Sequence, residues 1–159
     1  WKGITVATLS RRQVSDFYAY REMIEGLAAE MAARVITEEE IEGLDAILLQ
    51  LEEGRDQTGS ELANVNEQFH KMIFDISANR FLNQSLEVIN TAKILIWKPV
   101  YPTHKRWEEA QQEHRKLFDA LRARDPIAAK AAAQQHVRSA GLTRVAAMVS
   151  EELEANKPQ

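Results

Sequence analysis

Apolar residues recur along this chain at intervals of three and four, the period of a helix that buries one face, and no segment keeps the two-residue period of a strand. Six Gly and four Pro punctuate these stretches, so the pattern predicts an all-α fold, an antiparallel bundle of about six helices with short connections. The first helix is expected from about Val14 to Val35, with Phe17, Tyr20, Ile24, Leu27, Met31 and Val35 facing inward. Thr37 to Glu40 reads as a capping box opening the second, whose Ile41, Leu44, Ile47, Leu48 and Leu51 form the inward face. After a loop from Gly54 through Gly59, Thr58 with Glu61 offers another capping box for a third helix reaching about Ala78. Asn79 can cap a fourth, which should run to about Lys98 before Pro99 and Pro102 break it. A fifth is expected from about Thr103 to Arg124. Asp125-Pro126, an N-cap followed by proline at the first helical position, starts a sixth that continues to about Leu153.

At 159 residues the chain suits one domain with a single core. Residues 14–153 are expected to form it, with 154–159 a frayed tail. The start at Trp1 without methionine suggests a fragment, and residues 1–13 read as a linker from a missing N-terminal domain. No apolar run approaches the roughly 20 residues that cross a bilayer, and Trp1-Lys2-Gly3 lacks the layout of a secretion signal, so a cytoplasmic protein is expected. The absence of cysteine excludes thiolate zinc sites and cysteine catalysis. A net charge of -4 and a pI near 5.6 argue against this domain gripping a phosphate backbone by itself.

Polar residues that fall on apolar helix faces are the informative ones, because a buried polar group needs a partner. Asn66 projects among Leu62, Phe69 and Ile73, and His70 follows one turn later. His114 shares a stripe with Trp107, Phe118 and Leu121, while His136 lines up with Ala129, Ala132, Ala133 and Ala140. His114 and His136 each lie 11 residues from Asp125, one before the turn and one after it. At about 1.5 Å per residue both sit roughly 16 Å from the turn of an antiparallel hairpin, facing each other. Two inward imidazoles at one level, with an Asn/His pair from a third helix, match what a divalent cation asks for. A single inward histidine is more simply a hydrogen-bonded core residue, but three together favour a site. His104 reads as a solvent-facing loop residue. Arg21 falls near the apolar stripe of the first helix, where it either pairs with Glu25 or grips a ligand carboxylate. Lys93 is a second cation that either lines the same pocket or is solvated.

Several of these positions form motifs. Tyr20-Arg21 with Glu25, followed by Ala28-Ala29 and Ala32-Ala33, opens the series, and Asn66-Glu67-Gln68-Phe69-His70 and Asn79 with Phe81-Leu82 continue it. Glu113-His114, Ala120-Leu121, Asp125-Pro126, Ala128-Ala129 and His136 close it. In this order they resemble the effector-binding (FCD) domain of the FadR branch of GntR-type bacterial transcription regulators, over nearly the whole chain. The resemblance implies a FadR C-terminal-domain-like bundle in a homodimeric regulator. A missing N-terminal winged helix-turn-helix domain would bind operator DNA, and a small carboxylate effector would modulate that binding. It also implies a divalent metal, zinc or nickel with manganese as a third option, held by Asn66, His70, His114 and His136, and an effector-binding role for Arg21. Asn66 departs from the aspartate common in the family, which implies weaker metal retention and a more positive site.

The competing reading is a metal-dependent hydrolase or oxygenase built on the same histidines. Against it, Glu67 to His70 is the one Glu-x-x-His unit where a di-iron bundle needs two, and no His-Glu-x-x-His segment occurs. No catalytic residue is assigned, and a sensor without enzymatic activity is expected.

Overall fold

The structure, a computed structural model, describes residues 9–54, 59–96 and 104–155. Those residues form six helices and no strand: α1 (Arg11–Val35), α2 (Glu38–Glu53), α3 (Gly59–Ile76), α4 (Arg80–Ile96), α5 (His104–Arg122) and α6 (Pro126–Ala155). No helix among them is long and apolar enough to cross a membrane.

The helix starts follow from capping chemistry. α1 begins ahead of the expected Val14 because Ser10 and Gln13 form a capping box, with the Gln13 side chain accepting the Ser10 N–H at 2.9 Å. Part of the segment read as a linker is therefore helical. Thr37 and Glu40 make the expected box at α2, where Glu40 Oε2 accepts the Thr37 N–H at 2.8 Å. Asn79 Oδ1 caps α4 by accepting the Phe81 N–H at 3.0 Å, and Asp125 Oδ1 caps α6 by accepting from Ile127 and Ala128, both at 3.0 Å. His104 opens α5 instead of lying in the loop before it. Thr58, Lys98, Pro99, Pro102 and Thr103, on which other expected boundaries rest, lie outside the described residues.

α3 and α5 end without glycine. Ala78 and Arg124 take the left-handed conformation at φ 52° and 50°, which disfavours any residue with a Cβ by roughly 1–2 kcal/mol. Arg124 offsets this by bonding across the bundle, its Nε to the Ile36 carbonyl at 3.3 Å and its Nη2 to Glu38 at 2.7 Å. The tight turn this permits holds α5 and α6 in register.

α1 corrects the expected inward face. Its buried residues are Val14, Arg21, Glu25, Gly26, Ala28, Ala29, Ala32 and Ala33. Val35 is 57% exposed, Tyr20 and Leu27 are also exposed, and Phe17, Ile24 and Met31 are half-buried at the edge of a cluster formed by Ala28, Phe74, Leu82, Leu86 and Ile89. The reason is the company α1 keeps. Its most extensive packing is on α6, and Ala29, Ala32 and Ala33 share the main core with Ala129 and Ala133, since small side chains let two helix backbones approach closely. The large residues are displaced to the flanks. α2 behaves as expected, with Ile41, Leu44, Leu48 and Leu51 buried and Ile47 packed at the margin.

Ion pairs run along the α1–α6 seam, from Glu22 to Arg138 and from Glu30 to Lys130 at 2.9 Å. Two glycines mark its closest points. A Cβ on Gly141 would lie 2.8 Å from the Tyr18 ring, whereas one on Gly26 would meet the flexible Gln134 side chain at 2.7 Å. Gly141→Ala is therefore expected to lose about 1 kcal/mol in urea unfolding, overpacking of about 1–3 kcal/mol exceeding a helix-propensity gain of about 1. Gly26→Ala should be neutral or stabilising, because Gln134 can swing aside.

Candidate metal centre

Antiparallel pairing of α5 and α6 about Asp125 brings His114 and His136 to one level, with ring centroids 4.4 Å apart. α3 adds His70, at 5.5 Å from the His114 ring and 5.1 Å from that of His136. One nitrogen from each of the three lies within 4.8 Å of the others. All three rings are buried, and the buried Phe69 packs edge-on to His114 at 5.2 Å. The spacing argument from the turn thus holds in three dimensions. Asn66 stands one helical turn before His70 on α3 and is half-buried.

Burial, with His136, His114, Lys93 and Arg21 nearby, holds His70 well below its ordinary pKa. Burial, with His136 and Arg106 nearby, does the same to His114. Both rings are neutral at pH 7, the state in which imidazole offers a lone pair to a metal. His114 is 2% exposed, and among the described residues neither of its ring nitrogens has a hydrogen-bond partner; His70 Nε2 has none there either. Leaving such buried groups unpaired costs roughly 1–3 kcal/mol each. The neighbouring rings are not aligned to bond these nitrogens, and a cation can take up an imidazole lone pair, so this donor set fits a divalent metal.

Two carboxylates stand behind the histidines, and sequence reasoning assigned neither of them this part. His136 Nδ1 donates to Glu113 Oε2 at 2.9 Å, while Arg106 donates to both Glu113 oxygens at 3.2 and 2.9 Å. Burial pushes the Glu113 pKa up, but hydrogen bonds from His136, Arg106 and Ser139 outweigh it and bring it down to about 2. On the other side, Arg21 Nε donates to Glu25 Oε1 at 2.7 Å, and Glu25 Oε2 lies 3.3 Å from His70 Nδ1 without hydrogen-bond alignment. Each of these two histidines ends an arginine–glutamate–histidine chain. A signal for Glu113 existed in its placement: His136 lies 11 residues after Asp125 and Glu113 lies 12 before it, so the hairpin sets them at nearly one height.

Arg21 is buried beside the centre and pairs with Glu25, the first of its two expected roles, with its guanidinium 5.1 Å from the Tyr18 ring. Lys93 is half-buried, donates to Asn90 at 3.1 Å, and is held below its ordinary pKa by burial and by Arg21, against the opposing pull of Glu25 and Glu67. Two cations therefore flank His70. The expected positive character of the site is tempered by Glu25 and Glu113. Glu67 is exposed, and the side chain of His104 lies outside the described residues.

Fold and relatives together define the class, an all-α FCD domain similar to parts of bacterial transcription regulators. Residues 16–139 match the FCD domain, and the chain belongs to that family. It is 30% identical over 139 residues to the uncharacterized HTH-type transcriptional regulator YdhC of Bacillus subtilis, which covers 85% of this chain and 59% of that protein. The solved structure of GntR from Streptococcus agalactiae is similar with a TM-score of 0.71 and 25% identity, over 83% of this chain and 59% of that one. E. coli McbR/YncC shares the fold with a TM-score of 0.75 and 19% identity, over 85% of this chain and 65% of that one. The chain thus spans less than two thirds of the length of each of these relatives.

The depressed histidine pKa values fix a pH dependence for the metal-free domain. An unfolded chain takes up protons as pH falls below about 6.5, whereas the folded rings do not, so stability is full above that pH and is lost below it. Melting in chelator should fall between pH 7.5 and 5.5, and His114→Leu should flatten the fall. An unchanged slope in the variant would show that His114 is protonated equally in both states.

Proposed function

We propose that this domain senses a small carboxylate at a divalent metal held by His70, His114, His136 and the Asn66 carboxamide. The observation that carries the reading is the meeting of three buried histidines from three helices, one nitrogen of each within 4.8 Å of the others, with ring nitrogens of His70 and His114 that have no hydrogen-bond partner among the described residues. A bound metal supplies a Lewis-acidic point to which an organic acid can offer oxygen. The protein's own part is to keep His70 and His114 neutral, to exclude water with Phe69 and the surrounding bundle, and to orient the acid through Arg21 and Lys93. Arg21 can serve this purpose while paired with Glu25, because a guanidinium has five N–H donors and the pairing to Glu25 uses Nε. Imidazole ligands suit zinc or nickel, with manganese a third candidate.

In the whole protein, a winged-helix domain would bind operator DNA, and the effector would shift the balance between two placements of the paired DNA-binding domains. A homodimer is supported by apolar residues left exposed on adjoining helices, Tyr20, Met23 and Leu27 on α1 and Phe81 and Val88 on α4. A cytoplasmic setting goes with that role. The hydrolase or oxygenase reading gains nothing from the geometry, since Glu67 is exposed and the carboxylates that approach the histidines are engaged by arginines.

The test is elemental analysis and native mass spectrometry of the purified chain, followed by melting with a panel of small carboxylates with and without chelator. A retained divalent metal is expected, with a carboxylate that raises stability by about 2.7 kcal/mol at a hundredfold excess over its Kd, and only when metal is present. Asn66→Asp should tighten zinc about tenfold, or about 1.4 kcal/mol, by adding a negative charge to the ligand set. A chain that binds neither metal nor acid would sink the sensor.

A further inference from the structure

The two chains that end on histidines are unequal. Glu25 touches Arg21 through one oxygen and approaches His70 at 3.3 Å without alignment. Glu113 is gripped by Arg106 through both oxygens and accepts from His136 Nδ1 at 2.9 Å. The Arg106 and Glu113 side chains are only 13% and 16% exposed, and both lie on α5, two turns apart. A carboxylate fixed at two points along its own helix cannot turn away from the ring it faces on α6. A carboxylate only accepts, so a singly protonated His136 carries its proton on Nδ1, which leaves the Nε2 lone pair as the one it can offer the centre. Asn66, by contrast, is neutral, half-buried and carries no charge to hold a cation.

Resting on the metal reading above, we propose that Glu113 is a positioning residue that selects the metal-competent tautomer of His136, and that metal retention depends on it more than on Asn66. Arg106 completes the device. It has donors only, so in Glu113→Gln it would claim the amide oxygen and turn the amide N–H₂ toward His136. His136 Nδ1 would then accept, its proton would move to Nε2, and the lone pair facing the centre would be lost. The isosteric variant thus inverts the ring's polarity without changing its packing.

Two measurements on this chain test the assignment. Proton–nitrogen correlation spectra of the metal-free protein report the His136 tautomer, expected as Nδ1–H in the parent chain and Nε2–H in Glu113→Gln. Zinc titration against a chromophoric chelator should show a loss of about 10–100-fold in Glu113→Gln, a smaller loss in Asn66→Ala, and an intermediate one in Arg106→Gln, which frees the carboxylate but leaves its charge. Should Glu113→Gln fold poorly, Arg106→Gln gives the same ordering against Asn66→Ala. The assignment is overturned if Glu113→Gln keeps the Nδ1–H tautomer, or if Asn66→Ala loses more zinc affinity than either α5 variant. A parent chain that takes up no divalent cation would instead remove the metal reading itself, while the tautomer spectra would still report whether Glu113 sets the ring.

Discussion

Three buried imidazoles meet inside an apolar bundle, and ring nitrogens of His70 and His114 have no hydrogen-bond partner among the described residues; much of the local structure answers that constraint. Burial alone would keep His70 and His114 uncharged, but it would leave tautomers and orientations free. The polar groups around them remove that freedom. Glu113 accepts a hydrogen bond from His136, Glu25 stands beside His70, and each glutamate is secured by an arginine so that it is not itself an unpaired buried charge. His114 has no such partner among the described residues and is held by packing against Phe69 and the other rings.

The helices carry these groups to one place by different means. The α5–α6 hairpin does so by register, since the Asp125 cap and the left-handed Arg124 fix where the two helices start and stop. α3 does so by burying Phe69 and Ile73, which turns His70 inward one residue away. α1 brings Arg21 and Glu25 close because its alanines, and the small residues opposite on α6, let the backbones approach before larger side chains intervene. A bulkier α6 face would move the Arg21–Glu25 pair away from the histidines. Packing of small residues and placement of charged ones are therefore the same event on this seam.

Much of the centre could be read from spacing. Histidines 11 residues either side of an Asp-Pro cap must face each other if the segment is a hairpin, and His70 follows from the apolar stripe of its own helix. Glu25 was visible as a candidate partner for Arg21, but its approach to His70 was not, because that depends on how α1 leans across α3. The inward face of α1 was misread for a related reason. Hydrophobic period marks the largest apolar residues, whereas the partner helix selected the smallest, and Tyr20 and Val35 were left outside. Ser10 with Gln13 was a capping box in plain view, hidden by the polar residues between it and the first apolar position.

The amino-acid order by itself determined the helices, their caps, the hairpin register and the inward turn of three histidines, because these depend on interactions within about four residues or across one tight turn. It also carried the likeness to the FCD family that residues 16–139 bear out. Tertiary structure alone decided which face of α1 is buried, that Arg106 clamps Glu113 against His136, and that Arg21 and Glu25 stand at the same centre. Those outcomes rest on the distances between helices, which side-chain volumes on several elements set together and no single segment encodes.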